Sequence, residues 1–262
     1  MLAKLLKYDL KWILNKVMWI YYVIVIIVAI AIKIVENVHQ TLFLVIVDKI
    51  LVGVFISCCI SVLITCFMRI WARFIQNLYK DESYLTHTLP VTKNELFNAK
   101  VIASIISVII SILVIVVCVA FVYLNDATFE ELRMMYDSLV QAYNGIIAAI
   151  FVVGLILIIL LEMINAMMCG IFGIIVGHRE NDYKIVKSIL IGLVSYIILA
   201  TFTVVVLNFI STNLLDEVVN DGFPSINTLK VMGFTALGLY IAYILGFYFI
   251  SKKLLNKGVN IE

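Results

Sequence analysis

Six long apolar runs, each bounded by charged or polar residues, decide what this chain can fold into. They cover residues 18–35, 50–68, 101–124, 145–177, 188–210 and 231–250. Each comes close to or exceeds the roughly 20 residues that an α-helix needs to cross about 30 Å of hydrocarbon. Inside lipid every backbone N–H and C=O must be satisfied within its own segment, so runs of this kind read as helices. Apolar residues make up 64% of the chain and charged ones 14%, against about 45–50% and about 25% in soluble domains. A water-soluble fold of 262 residues could not cover that much apolar surface. The reading is an all-α membrane protein, one transmembrane domain over 1–262 with six spans. The second span can begin as early as Thr41, because 41–47 is apolar up to Asp48. The fourth is about 50 Å long at a rise of about 1.5 Å per residue, so it tilts, kinks or projects.

Basic residues set the orientation. All of the 19 Lys and Arg fall on the first, third, fifth and last polar segments except Lys33, Lys49, Arg133 and Lys230. By the positive-inside rule both termini and the 69–100 segment are cytoplasmic. The other loops carry Asp126, Glu130, Glu131, Asp137, Asp216, Glu217 and Asp221 and make an acidic outer face. The net charge of +2 hides this asymmetry and implies no nucleic-acid partner. Residues 1–17 read as a separate amphipathic helix: Leu2, Leu5, Leu6, Leu10, Ile13, Leu14 and Val17 recur at helical spacing, opposite Lys4, Lys7 and Lys11. Such a helix lies in the membrane interface, with its lysines near anionic headgroups. Asp9 and Lys16 fall on its apolar side and interrupt the stripe.

Little in the spans points to catalysis. Cys58, Cys59, Cys66, Cys118 and Cys169 all lie in apolar runs without metal spacing and read as small packing residues. His39, His87 and His178 are each isolated, and His178-Arg179-Glu180-Asn181-Asp182 reads as a solvated turn or a weaker second partner contact. No nucleotide-cradling Gly-x-x-x-x-Gly-Lys-Ser/Thr motif and no Gly-x-Ser-x-Gly occurs, so the chain reads as a non-enzyme without a cofactor or metal of its own. Glu162 is the one acid deep in a span. A carboxylate at the bilayer centre costs on the order of 2–3.5 kcal/mol, so it should face protein or water. Asn165, on the same face, is its expected hydrogen-bond partner, at an interface or a substrate path. Ala166/Gly170 and Gly173/Gly177 give the small-xxx-small spacing that lets helices approach closely. The hydroxyl rows Ser57/Ser61/Thr65 and Ser104/Ser107/Ser111 are expected to bond their own helices' carbonyls.

The most sharply punctuated polar stretch is Tyr79 to Leu96. Thr92 with Glu95 matches a capping box, and Val91 and Leu96 occupy the positions of a hydrophobic staple. Pro90 holds Leu89 out of the helical region, so a new helix starts at Lys93 after a corner. Before the corner, Asp81 can cap a short helix on which Leu85 and Leu89 share a face with Tyr84 nearby.

The segment Asp81-Glu82-Ser83-Tyr84-Leu85-Thr86-His87-Thr88-Leu89-Pro90-Val91-Thr92-Lys93-Asn94-Glu95-Leu96, with Lys100 beyond it, resembles the cytoplasmic signature of Firmicute-type permeases of two-component ABC exporters, the type-2 export class. The usual pattern there is an acidic pair, an aromatic, Leu-Thr-His-Thr-Leu-Pro-Val and a polar helix start. Elsewhere the resemblance is architectural only. It implies a bacterial plasma-membrane permease that pairs with a cytoplasmic ABC ATPase, which would hold ATP and Mg. Segment 79–92 would then be the coupling helix between spans 2 and 3, with Glu82, Tyr84, Leu85, His87, Thr88 and Leu89 as contacts to the ATPase. Two copies, or this chain and a sister permease, would enclose the path. Residues 211–228, broken at Asn220-Asp221-Gly222-Phe223-Pro224, correspond to re-entrant helices in that family, though an ordinary loop fits equally. The implied substrate is amphipathic or lipophilic, a peptide such as a phenol-soluble-modulin-type toxin or a bacteriocin. A secondary transporter or channel using Glu162, and a noncatalytic membrane scaffold or sensor subunit, are the alternatives.

Overall fold

The computed structural model describes residues 2–38, 41–80, 82–83, 91–124, 126–143, 145–179, 182–214 and 226–257. Among them there are eight long helices and no strand: α1 (Leu2–Ile13), α2 (Lys16–Glu36), α3 (Leu42–Leu78), α4 (Lys93–Tyr123), α5 (Asp126–Tyr143), α6 (Gly145–Gly177), α7 (Lys184–Leu214) and α8 (Ile226–Asn256). Six of these, α2, α3, α4, α6, α7 and α8, are long and apolar enough to cross a membrane. Their surfaces show why lipid is the required solvent. In the most apolar stretch of α7 and of α8 only 6% of residues are buried, and α7 presents Ile197, Ile198, Phe202, Val204 and Val205 outward. Helices apolar on their outer faces need a hydrocarbon environment or further helices around them.

The chain divides into two units by its internal contacts. The first comprises Met1–Asn77 and His87–Arg133, and the second Leu78–Thr86 and Met134–Glu262. In the first, α2 buries Met18, Tyr22, Val25, Ala29 and Ile32, a spacing alternating between four and three that makes one continuous stripe. The Tyr22 hydroxyl meets Ser111 Oγ of α4 at 2.8 Å. Ser104, Ser107 and Ser111 each donate to the carbonyl four residues back, as do Ser57 and Ser61 in α3, all at 2.8–3.0 Å.

The N-terminal segment differs from a single helix over 1–17. It breaks after Ile13, where extended Asn15 caps α2 with its side-chain oxygen on the Lys16 N–H. The 69–100 segment is also largely helical. α3 carries on to Leu78 because Ile70, Phe74 and Leu78 extend its buried stripe past the apolar run. α4 begins at Lys93, where the capping box forms. α5 occupies the stretch read as an acidic outer loop.

In the second unit α6 runs over Gly145–Gly177, and α7 and α8 pack against it. A Cβ at Gly173 would lie 2.5 Å from the Ser188 carbonyl and 2.6 Å from the Gly192 nitrogen of α7. One at Gly177 would collide with Ser188. Backbone meets backbone here, as the small-residue spacing predicts. Phe172 and Phe247 close the α6–α8 contact with centroids 4.9 Å apart.

Candidate functional site

Three arrangements of polar side chains stand out: one joining α1 to α3 and α4, the helices that flank segment 79–92, one around Tyr79 at the start of that segment, and one within the spans of the second unit.

The first is built by α1, α3 and α4. Asp9, only 4% exposed, accepts from Arg73 Nε at 2.7 Å and from Lys100 Nζ at 3.3 Å. Lys100 is itself 1% exposed and its ammonium lies 5.9 Å from the Phe74 ring centroid. One turn earlier on α3, Arg69 donates to the carbonyls of Trp12 and Ile13, the open end of α1. Cations suit a helix C-terminus, whose carbonyls have lost their intrahelical partners. The Arg69 and Arg73 guanidiniums also lie over the Trp12 ring, 4.9 and 5.3 Å from its centroid. The residue that interrupts the apolar stripe of α1 is thus the one that fastens α1 to both α3 and α4.

α4 receives the chain after segment 79–92. Glu95 N–H donates to Thr92 Oγ1 at 3.2 Å, and Thr92 N–H to Glu95 Oε2 at 3.1 Å. These reciprocal bonds satisfy two donors that the helix start would leave open. They also draw the Glu95 carboxyl below its usual range.

The second arrangement is in the other unit. Tyr79, the first residue after α3, is buried and lies against His178, with ring centroids 4.4 Å apart and planes tilted by 30°. His178 Nδ1–H donates to the Ile174 carbonyl at 2.9 Å and lies 3.1 Å from Ser188 Oγ. Ser188 in turn donates to the Lys184 carbonyl at 2.7 Å. Burial pushes the Tyr79 phenol well above its ordinary range, and nearby Arg179 opposes this only in part. His178 is therefore not part of a solvated turn: it is 0% exposed, although Arg179, Asp182 and Tyr183 of the same connection are exposed. The physical reason is the α6–α7 approach at Gly177 and Ser188, which closes around the imidazole.

Of the expected contact residues, Glu82 is half-buried in a turn beside buried Ser83. Tyr84, Leu85, His87, Thr88 and Leu89 lie outside the described residues, together with Asp81 and Pro90.

The third arrangement surrounds Glu162 on α6. The Tyr196 hydroxyl of α7 donates to Glu162 Oε1 at 2.7 Å, and Tyr240 of α8 lies near the same side chain. Asn165 is buried and accepts a long contact from Cys169 Sγ at 4.0 Å. The bond to Glu162 therefore comes from a neighbouring helix and not from the residue one turn along. Sequence spacing reveals partners on the same helix, and Tyr196 and Tyr240 become partners only through packing.

Among the described residues no group of three His, Cys, Asp or Glu is placed to hold a metal ion, and the five cysteines are free thiols. The fold and these sites define a multi-pass helical membrane protein. Comparison with family models, with curated proteins and with solved structures finds no match to this chain.

Proposed function

We propose that this chain is the permease subunit of an ATP-driven bacterial exporter, moving an amphipathic or lipophilic molecule with energy from a separate ABC ATPase. The observation that carries the reading is the punctuated segment Asp81–Leu96, its Leu-Thr-His-Thr-Leu-Pro-Val core ending in a helix cap at Thr92. A loop that only joined two spans would not need a buried ion cluster on its flanking helices or a buried aromatic pair at its start. A coupling element does, because a push from the ATPase reaches the spans only through rigid attachments. In this reading Glu82, Tyr84, Leu85, His87, Thr88 and Leu89 meet the ATPase, both termini are cytoplasmic, and two copies or a sister chain complete the path. ATP and Mg are bound by the partner. The amphipathic peptide remains the favoured substrate, by analogy alone.

Capture of the tagged full-length chain from its native membranes is expected to recover an ABC ATPase in stoichiometric amount. Changing both Tyr84→Ala and Leu85→Ala should abolish that recovery and substrate-stimulated ATP hydrolysis while leaving membrane insertion intact. Each truncation removes an apolar anchor, and interface anchors of this kind contribute about 2 kcal/mol or more. Recovery of the chain without any ATPase would overturn the proposal in favour of a scaffold or a secondary transporter.

A further inference from the structure

Glu162 places a carboxylate in a helix of 33 residues that is otherwise almost entirely apolar. Among the described residues it accepts a hydrogen bond but pairs with no countercharge. Tyr196 donates to it at 2.7 Å and Tyr240 approaches it from α8. No Lys, Arg or His among the described residues pairs with it. Phenol hydroxyls hold a carboxyl group in place by hydrogen bonds without supplying a positive charge. A cation brought to such a group away from bulk water meets a far stronger Coulomb attraction than it would in water.

The same place is rich in aromatic surface. Tyr243 stands edge-on to Tyr240, with centroids 6.2 Å apart and planes at 89°, and its hydroxyl meets Thr203 Oγ1 at 3.2 Å. The hydroxyl contact and the T-shaped packing on Tyr240 together fix the orientation of the Tyr243 ring. Glu162, Tyr196, Tyr240 and Tyr243 are all half-buried, so each keeps surface that a ligand can reach. Tyrosine faces attract cations within about 6 Å of the ring centroid, and the attraction grows when water is excluded. A carboxylate ringed by tyrosines selects a positive charge on an organic body, because the rings and surrounding aliphatic side chains reward apolar substituents that a hydrated metal ion lacks.

We infer that Glu162, Tyr196, Tyr240 and Tyr243 form a binding site for an amphipathic organic cation, such as a quaternary or side-chain ammonium on an apolar scaffold. That this cation is the transported molecule rests on the exporter reading; that it binds does not.

The test uses the full chain in lipid nanodiscs, without any ATPase, and two probes of one shape and opposite charge, tetraphenylphosphonium and tetraphenylborate. Saturable binding of the phosphonium is expected, with the borate bound at least about tenfold more weakly, one decade in Kd. Glu162→Gln should weaken phosphonium binding by about tenfold and erase the charge preference, whereas Glu162→Asp should keep the preference. Tyr240→Phe, which retains the ring and loses the hydroxyl, should weaken binding by a few-fold, and Tyr240→Leu by more. Equal binding of the two probes by the wild-type chain would overturn the site without recourse to any variant. Unchanged phosphonium affinity in Glu162→Gln would overturn it as well, leaving the carboxylate as a tie between helices. Those results would leave the exporter reading standing, since that reading fails only on ATPase capture.

Discussion

Asp9 shows how a single side chain can decide the placement of a helix. Its carboxylate is buried between Arg73 and Lys100, and Arg69 engages the end of the same helix. Removing one member of a buried ion cluster typically costs about 3–5 kcal/mol, because the remaining buried charges lose an opposite charge. Asp9→Ala is therefore expected to lower the thermal unfolding midpoint of the detergent-purified chain clearly, while Lys4→Ala on the exposed face should leave it unchanged. Asp9→Ala combined with Lys100→Met should recover part of the loss, since it also removes a buried cation that has lost this carboxylate. A double variant no more stable than Asp9→Ala would refute this account of Lys100. Asp9 was legible in the sequence only as a flaw in an amphipathic stripe. Its partners lie 64 and 91 residues away, and no local pattern encodes a contact at that separation. The contact between Tyr79 and His178 was hidden for the same reason: each looks like an ordinary polar residue at a helix end, and His178 like part of a solvated turn, until packing buries both. Tyr79→Leu should fill the space and preserve the fold, yet weaken the link from the start of segment 79–92 to the α6–α7 turn. In the reconstituted exporter the expected result is intact ATPase capture with reduced substrate stimulation of hydrolysis. Full stimulation in the variant would refute that link.

At the level of elements, apolar length and caps were readable and packing-dependent extensions were not. The bounds of α6 and the start of α4 follow from local signals: Gly145 and Gly177 bracket the fourth run, and Thr92 with Glu95 marks the helix start. Thr92→Ala should cost about 1 kcal/mol of stability, as loss of an N-cap usually does. The extension of α3 to Leu78 was hidden by Arg69 and Arg73, which read as the edge of a span although their charges are met within the protein. α5 was hidden by its polarity, since a search for apolar runs passes over a helix of mixed composition. The glycines of α6 offer a direct comparison of position within one helix. Gly154 has open space where a Cβ would go, while Gly173 and Gly177 face the α7 backbone. Gly154→Ala should leave stability unchanged or raise it by up to about 1 kcal/mol through helix propensity. Gly173→Ala should lower it by about 1–3 kcal/mol, as overpacking does, because backbone and not a flexible side chain stands in the way. Equal effects at the two sites would show that the α6–α7 approach is looser than the distances imply.

For the whole molecule, six helices among the described residues are long and apolar enough to cross a membrane. If all six cross, both termini lie on one side, and the basic residues are the sequence signal for which side that is. All but four of the 19 Lys and Arg belong to the terminal segments and to the connections that share their side. The structure adds that several of these cations are also structural: Arg69, Arg73 and Lys100 engage α1, which carries exposed Lys4, Lys7 and Lys11 on its opposite face. Removing the exposed lysines therefore weakens the topological signal without breaking the buried cluster, so the two roles can be separated. In a chain with all five cysteines replaced, single cysteines at Glu131 and Glu217 are expected to react with a membrane-impermeant thiol reagent added outside intact cells. Cysteines at Lys80 and Lys184 should react only after the membrane is opened. A basic residue near the surface of an anionic leaflet contributes about 1 kcal/mol, so neutralising Lys4, Lys7 and Lys11 together removes about 3 kcal/mol of bias toward the inside. The buried cluster and the remaining basic segments should nevertheless hold the orientation, and the labelling pattern should persist. Outside labelling at Lys80 or Lys184 in the otherwise unaltered chain would overturn the assignment of both termini and segment 79–92 to the cytoplasm, and with it the route by which an ATPase could reach that segment.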